Sequence, residues 1–469
     1  MRRTKIVATL GPASSTAEVV LALAEAGADV FRLNFSHGSH ADHATSMANI
    51  RAASEHLRRP LAILADLQGP KFRLGRFASG PVRISIGHTL RLDSDPTPGT
   101  AERVCLPHPE ILAALAVGEL LLVDDGKVRL RVQAVGQGWA QVQVEQGDEL
   151  SDRKGVNVPS SLIESSPLTA KDRADLSFAL DNHVDYVALS FVQRAADMAE
   201  LRKLVGGRAR VLAKIEKPQA LTRLPEILDL CDAVMVARGD LGVELAPEDV
   251  PGAQKSIVRA ARSRGVPVIV ATQMLDSMVN NATPTRAEAS DVAHAVYEGA
   301  DAVMLSGETA AGRHPVLAVG MMDRIIAKTE ADPRWPGMMD ADREDDPSFE
   351  IDPISLAAVT AAKAARASCI VTFTARGASA LRMARQRALP PILALTVDAN
   401  TARRLALVWG VEAFVTEEPA DVDGMAKIAA RESRLRDFAP PNGRIVVVAG
   451  VPFGTPGATN LIRLARADS

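Results

Sequence analysis

Two short charged clusters carry the residue types that metal-assisted chemistry needs. The first is Lys214-Ile215-Glu216 and the second is Arg238-Gly239-Asp240. Each ends a short apolar run, 211–215 and 233–237, that reads as a fully buried strand. Lys214 and Glu216 are two residues apart, so at an extended strand end both side chains project to one face. Glu216 and Asp240 offer hard oxygen ligands to one divalent ion. Mg²⁺ commonly takes one or two carboxylates and fills the rest of its shell with substrate oxygens. A lysine beside such a site suits a developing enolate or a phosphoryl group in transfer. Alone, Lys-x-Glu is more often a solvated surface pair, and Arg-Gly-Asp is no more specific. Their position after two consecutive buried strands is what points to a site.

The elements that must position these clusters follow a regular rhythm. A helical pattern with Leu221, Leu224 and Leu228 on one face joins the two strands. Strand–helix–strand units favour parallel neighbours, which puts both clusters at the same carboxyl end of a sheet. Further strands are expected at 6–10, 30–33 and 61–64, and again at 184–191, 268–272 and 302–305, with caps such as Thr16 and Thr169 opening the helices between them. Eight strands, each followed by a helix, are the signature of a (β/α)₈ TIM barrel, whose active sites lie at the carboxyl ends of the strands. A doubly wound open sheet is the competing fold. In the barrel, Arg32, Asn34, Ser36, Asp66, Ser190, Lys214, Glu216, Arg238, Asp240, Thr272 and Ser306 surround one mouth. That set suits a metal-assisted reaction on an anionic, oxygen-rich substrate. Gly239 lets a backbone N–H approach the substrate closely. Thr272 and Ser306 suit equally well the local capping of the helices that follow them.

The rhythm breaks between 72 and 166. Alternating runs at 82–86, 128–132 and 140–144, with an Asp124-Asp125-Gly126 hairpin signal, read as a small inserted β domain. The expected division is 1–70 with 168–335 for the catalytic barrel, 71–167 for the inserted domain and 350–469 for a C-terminal α/β domain. The stretch 330–353 reads as a helix-poor linker. The last domain shows a helix near 356–367 and strands at 369–374, 392–396, 414–416 and 445–449.

Bulk properties exclude several partners. The net charge of −3 gives no electrostatic case for nucleic acid or an anionic membrane, and 3% aromatic content leaves few stacking platforms for single strands. No apolar run is long enough to span a bilayer. Cys105, Cys231 and Cys369 have neither metal-ligand spacing nor even number, which suits a reducing cytosol. The N-terminal apolar run is too short for a signal peptide. A cytoplasmic protein is expected.

The segments TKIVATLGPAS, FRLNFSHG, KGVNVP, AKIEKPQAL, VARGDLGVE, ATQMLDSM, PTRAEASDVA, EGADAVMLSGETA and GVPFGTPGATN closely resemble pyruvate kinases. They span the barrel, part of the insertion and the C-terminal domain. The resemblance implies that the insertion is a small β-barrel that serves as a lid. It implies phosphoryl transfer from phosphoenolpyruvate to ADP, with Mg²⁺ held by Glu216 and Asp240. It implies that Lys214 stabilises the transition state, that Arg32 contacts the transferring phosphoryl group, and that Gly239, Asp240 and Thr272 hold the substrate's carboxylate end. Ser306 matches a segment tied to enolate protonation. Arg73 and Lys154 match nucleotide-contacting positions. Asn34, Ser36, Asp66 and Leu67 match a monovalent-cation site. The C-terminal domain resembles a regulatory domain. There Thr372, Thr374, Arg376 and Ser379 surround a strand-to-helix turn whose free N–H groups suit the phosphate of a sugar-phosphate or nucleotide effector, with plain helix capping as the alternative. A homotetramer is the family precedent.

One departure from the family pattern stands out. Many members read Asp-Thr-Lys-Gly-Pro-Glu after the third strand and need K⁺. Here Asp66-Leu67-Gln68-Gly69-Pro70-Lys71 puts a lysine at the glutamate position, and Leu67 and Leu74 replace threonines. A tethered ammonium near Asp66 is expected to make K⁺ unnecessary. Two rival functions remain open at this point: a metal-dependent aldolase acting through pyruvate enolate, which shares the carboxylate pair but needs neither the lid nor Arg73 and Lys154, and a non-catalytic paralogue.

Overall fold

The computed structural model describes residues 2–341, 352–452 and 459–468. Eight parallel strands close on themselves: β1 Lys5–Leu10, β2 Val30–Asn34, β3 Ala62–Asp66, β4 Tyr186–Leu189, β5 Arg210–Ile215, β6 Ala233–Ala237, β7 Val268–Ala271 and β8 Ala302–Leu305. They follow chain order around the ring, and β8 pairs with β1, which excludes the open sheet. The strands are almost wholly apolar because both faces are covered. Ile6, Ile63, Val211 and Val270 pack outward with the helices, while Val7, Leu64, Leu212 and Ile269 fill the barrel interior.

The helices start where side-chain acceptors are available. Thr16 accepts the Val19 N–H, and Thr169 and Thr285 form capping boxes with Asp172 and Glu288. The helix expected between β5 and β6 is two short ones, Pro218–Thr222 and Leu224–Leu228. Pro225 lacks the N–H a continuous helix would need and instead sits in the first turn of the second.

The insertion between β3 and β4 forms a six-stranded sheet beside a two-stranded one. Its own core, with Leu92, Leu121, Leu130 and Val142, is separate from that of the barrel. Asp124, Asp125 and Gly126 all adopt positive φ and turn the chain from Leu120–Val123 into Val128–Gly136.

The C-terminal sheet has four parallel strands, Cys369–Phe373, Ile392–Thr396, Val411–Val415 and Arg444–Gly450, and an antiparallel edge strand, Thr459–Arg466. This domain closes the amino end of the barrel. Leu407, 1% exposed, joins the barrel-interior side chains Val7, Val30 and Leu64. Lys5 pairs with Glu412 at 2.8 Å and Arg387 with Asp301 at 2.9 Å. The connection at 330–353 is less irregular than expected: Trp335–Ala341 is a helix, and Trp335 is fully buried, stacked on Trp409 at 5.6 Å. Residues 342–351 of that stretch, and 453–458 of the GVPFGTPGATN segment, lie outside the described residues. No described helix is long and apolar enough to cross a membrane.

Candidate active site

β2, β3, β4 and β5 lie side by side, so their carboxyl ends bring Arg32, Asp66, Ser190, Lys214 and Glu216 together. Asp66, 1% exposed, accepts from Arg32 Nε at 2.7 Å and lies 3.3 Å from Lys214 Nζ. Lys214 Nζ also stands 2.7 Å from Glu216 Oε1 and donates to Ser190 Oγ at 2.8 Å. The other Glu216 oxygen accepts the Phe191 N–H at 2.7 Å. Phe191 has a φ of +57°, a strained setting for a bulky residue, and that turn aims its N–H at the carboxylate.

Charge in this cluster is strongly coupled. Burial works against the Lys214 ammonium, but Asp66 and Glu216 more than offset it, and its pKa rises. Burial also works against the Asp66 carboxylate, yet Lys214 and Arg32 hold it below the usual range. Glu216 goes the other way. Burial, reinforced by the charge of Asp240, pushes it up to about 7 despite Lys214. Glu216 Oε1 and Asp66 Oδ1 are buried without a hydrogen bond of good geometry. A buried acceptor left in that state is costly, and a cation shared between Glu216 and Asp240 would relieve it. The described residues contain no cluster of three or more His, Cys, Asp or Glu able to hold a metal. Two carboxylates that leave the remaining positions to substrate oxygens match the binding mode of Mg²⁺.

Asp240 is exposed in the first turn of the helix Arg238–Glu244, which follows β6 directly. Two expectations for this region change. Arg238 is a brace rather than a free mouth cation: it pairs with Asp291 at 2.8 Å and donates to the Thr272 carbonyl at 2.6 Å. The Gly239 N–H already donates to Thr272 Oγ1 at 2.7 Å. Thr272 does not cap the helix that follows it. Its φ of +68°, unfavourable for a β-branched residue, holds the hydroxyl between the Gly239 N–H and the Ala271 carbonyl. Ser306 makes no capping hydrogen bond either. Its Oγ is buried without a partner, and its N–H donates to Glu308.

A cleft of about 370 Å³ opens between the insertion and the barrel. Lys71, Arg73, Lys154, Asp240 and Glu244 are among its walls. Arg73 and Lys154 thus share one cavity with the candidate metal ligand Asp240. Lys154 pairs with Asp124 at 3.0 Å, and Arg73 donates to the Arg153 carbonyl. Lys71 does not stand as expected. It is exposed and has no hydrogen bond or ion pair among the described residues, whereas Asp66 finds its cations in Arg32 and Lys214. Desolvation and Arg73 lower the Lys71 pKa, with Asp240 pulling the other way. Among the residues expected at a monovalent-cation site, Asn34 Oδ1 accepts the Ser36 N–H and the Leu67 carbonyl accepts from Ser190; beside them, Lys171 Nζ donates to the Phe35 carbonyl at 2.6 Å.

At the C-terminal turn, the chain leading into the helix Ala378–Arg385 is partly satisfied from within. Thr374 Oγ1 accepts the Gly377 N–H at 2.9 Å, a bond of the turn just before the helix, and no side chain caps the helix itself. Ser379 Oγ pairs with Thr459 Oγ1, the Thr372 hydroxyl is buried without a partner, and Arg376 is exposed.

Sequence reasoning missed a polar knot beside the cleft. Glu244 Oε1 accepts from Asn157 of the insertion at 2.7 Å and from Lys217 of the barrel at 2.8 Å. Lys217 and Glu244 sit within the quoted segments AKIEKPQAL and VARGDLGVE. The available signal was two charged residues continuing past the first polar positions of two adjacent strand ends.

Comparison with known proteins agrees with this geometry. Residues 1–319 match the model of the pyruvate kinase barrel domain, and 352–465 that of the pyruvate kinase alpha/beta domain. A pyruvate kinase of Methylorubrum extorquens is 51% identical over 464 residues, covering 99% of this chain and 97% of its own length. One of Mycobacterium intracellulare is 45% identical, covering 99% and 98%. The crystal structure of a pyruvate kinase from Cryptosporidium parvum superposes with a TM-score of 0.93 at 31% identity, covering 99% and 96%.

Proposed function

The chain belongs to the pyruvate kinase family of phosphotransferases, and from that premise we propose how its own residues divide the reaction. The aldolase alternative finds no support in these relatives. The substrates are phosphoenolpyruvate and ADP. In the transfer, the bond from phosphorus to the enolate oxygen breaks and one to a terminal oxygen of ADP forms. The enolate then takes a proton at carbon to give pyruvate. Arg32 and Lys214 face the equatorial oxygens of the phosphoryl group, where charge spreads in the transition state. Asp66 orients both cations from behind, and its depressed pKa supports a permanently ionised brace.

Glu216 and Asp240 would hold the divalent cation, Mg²⁺ in this reading. When bound, the ion neutralises charge on substrate oxygens and aligns the two phosphates. Gly239 and Thr272 receive the substrate carboxylate, the Gly239 N–H exchanging Thr272 Oγ1 for a carboxylate oxygen and the Thr272 hydroxyl turning its donated bond from the Ala271 carbonyl to the ligand. The unpartnered Ser306 Oγ supports its role in guiding the proton to the enolate. Arg73 and Lys154 bind the nucleotide phosphates. The insertion acts as a lid that keeps water from the phosphoryl group.

The reading extends to K⁺-independent activity, with Asn34, Ser36, Asp66 and Leu67 at the expected cation position and Lys71 in the cleft where the family pattern has a glutamate. It also includes a sugar-phosphate or nucleotide effector at Thr372, Thr374, Arg376 and Ser379, a homotetramer and a cytoplasmic location. The observation that carries the catalytic assignment is Lys214, buried between Asp66 and Glu216 with Arg32 on the far side of Asp66. The test is pyruvate formation from phosphoenolpyruvate and ADP, with and without Mg²⁺. Turnover unaffected by chelation would overturn the metal assignment. Light scattering on the eluting protein tests the tetramer.

A further inference from the structure

The insertion joins the barrel through two chain segments, and the second is tied down by side chains on three barrel elements. Gln193 bonds Ile163 in both directions, at 3.2 Å each way. Gln219 Nε2 donates to the Pro159 and Ser161 carbonyls. These amide contacts are neutral. Further along, Arg194 donates to the Glu164 carbonyl and Ser166 to Glu200. The tie closest to the inserted sheet is ionic: Asn157 Nδ2 and Lys217 Nζ both donate to Glu244 Oε1, and Lys217 also reaches the Val158 carbonyl at 3.2 Å. The Lys217 and Glu244 side chains are 5% and 1% exposed. Glu244 Oε2 is buried with no hydrogen bond. One carboxylate oxygen therefore takes both donors of the tie nearest the inserted sheet.

Two features make this knot more than packing. Glu244 ends the same seven-residue helix whose first turn carries Asp240. Asn157 and Glu244 line the cleft that holds Arg73 and Lys154. The inserted strand and the candidate metal ligand are thus joined through one short rigid element. A buried ion pair with one oxygen unsatisfied is expensive to form and easy to tip, since loss of either partner leaves an uncompensated charge.

We propose that Asn157, Lys217 and Glu244 form a latch that fixes the inserted domain over the barrel mouth, and that Glu244 is thereby a positioning residue for the nucleotide. The proposal rests on the assignment of the cleft to ADP. In the latch, Asn157 supplies a neutral donor to an anionic acceptor. Asn157→Asp sets two carboxylates against each other and opens it. Glu244→Gln keeps the shape and can still accept from Asn157. In the double variant the pair is reversed: the amide introduced at position 244 donates to the carboxylate introduced at position 157, and Lys217 keeps one anionic partner.

The experiment is that cycle of four proteins. Hydrogen exchange of the amides of residues 155–163 is read in the ligand-free protein, and KM for ADP and for phosphoenolpyruvate in the assay. Asn157→Asp is expected to speed exchange and raise KM for ADP about tenfold, with KM for phosphoenolpyruvate within about twofold of wild type. Adding Glu244→Gln is expected to return both readings to within about threefold of wild type. The exchange reading separates the latch from simple repulsion between the new carboxylate and ADP, because no nucleotide is present. Failure of Glu244→Gln to suppress Asn157→Asp, or an equal rise in both KM values, overturns the latch. Wild-type protein without pyruvate kinase turnover would instead overturn the functional reading beneath it. Should Asn157→Asp not fold, Asn157→Ala carries the same exchange test, and unchanged linker exchange there counts against the proposal.

Discussion

Lys214 Nζ lies 2.7 Å from Glu216 Oε1 inside a pocket that burial alone would make hostile to both charges. The ammonium is held in its charged form by Asp66 as well as by Glu216. It is thus a preorganised cation that needs no reorganisation when charge moves across the phosphoryl oxygens. Lys214→Met removes that charge and keeps an apolar stem of similar length. Turnover is expected to fall at least about 100-fold, the scale of one such electrostatic partner. Binding of phosphoenolpyruvate, followed by equilibrium dialysis, should change far less. A loss of only a few-fold in turnover would make Lys214 a bystander.

Glu216 offers the complementary test. Its carboxylate is destabilised by burial and by Asp240, so it gains most from a divalent cation. Glu216→Gln removes one anionic ligand while keeping the acceptor for the Phe191 N–H. The Mg²⁺ concentration for half-maximal activity should rise by an order of magnitude or more, and turnover at saturation should fall. Mg²⁺ titrations of the two proteins that superimpose would refute the assignment.

Much of this site was legible in the chain because β-strand ends are punctuated. Lys214, Glu216 and Asp66 each follow an unbroken apolar run, and the parallel barrel carries all such ends to one rim. Side-chain partners across strands were not legible. Arg238 and Lys71 have the same charge, yet one is locked to Asp291 and the other is exposed and unpaired among the described residues; sequence spacing says nothing of which neighbour reaches them. The Gly239–Thr272 bond depends on a positive φ at Thr272 that no propensity predicts for a β-branched residue. The edge strand Thr459–Arg466 escaped notice because its alternation mixes arginines with half-buried aliphatics and gives no buried run.

The barrel floor yields a stability prediction. Leu407 comes from the C-terminal domain but packs with Val7, Val30 and Leu64 inside the barrel. Leu407→Ala should cost roughly 2–5 kcal/mol, as for other buried leucines. Because the side chain bridges two domains, thermal melts of this variant should show the barrel and the C-terminal domain unfolding less cooperatively. An unchanged midpoint would mean that polar contacts across the floor, such as Lys5–Glu412, Arg387–Asp301 and Arg403–Asp185, hold it without the leucine.

The proposed effector site relies on hydroxyls that already have local work. Thr374 holds the Gly377 N–H, and Ser379 pairs with Thr459. An arriving phosphate must displace both bonds and replace them with charge-assisted ones, which are roughly twice as strong. Replacing Thr374 and Ser379 with Val and Ala should abolish activation by glucose 6-phosphate or AMP and leave basal turnover within about twofold. An unaltered activation curve would leave these local bonds as the whole role of the two side chains.

The proposed independence from potassium rests on the charge at position 71. Asp66 is already offset by Arg32 at 2.7 Å and Lys214 at 3.3 Å, so Lys71 is not needed there. Its field falls on Asp240 instead. A glutamate at this position would add a negative charge to a cleft that already contains Asp240 and Glu244 and that, in the proposed reaction, takes anionic substrates. Like charges a few Å apart repel by a few kcal/mol even at an effective dielectric of about 20, and a captured K⁺ would be the remedy. With Lys71 the same place carries a positive charge that loses no translational freedom in each cycle. Lys171, bonded to the Phe35 carbonyl, adds a second ammonium beside Asn34 and Ser36 and further disfavours a bound cation. The protein is therefore expected to work at nearly full rate in tetramethylammonium buffer without K⁺. Lys71→Glu should be nearly inactive there and recover on addition of K⁺. Stimulation of the unmodified protein by about tenfold or more, equivalent to roughly 1.4 kcal/mol in the barrier, would show that Asn34, Ser36 and Asp66 hold K⁺ despite both lysines.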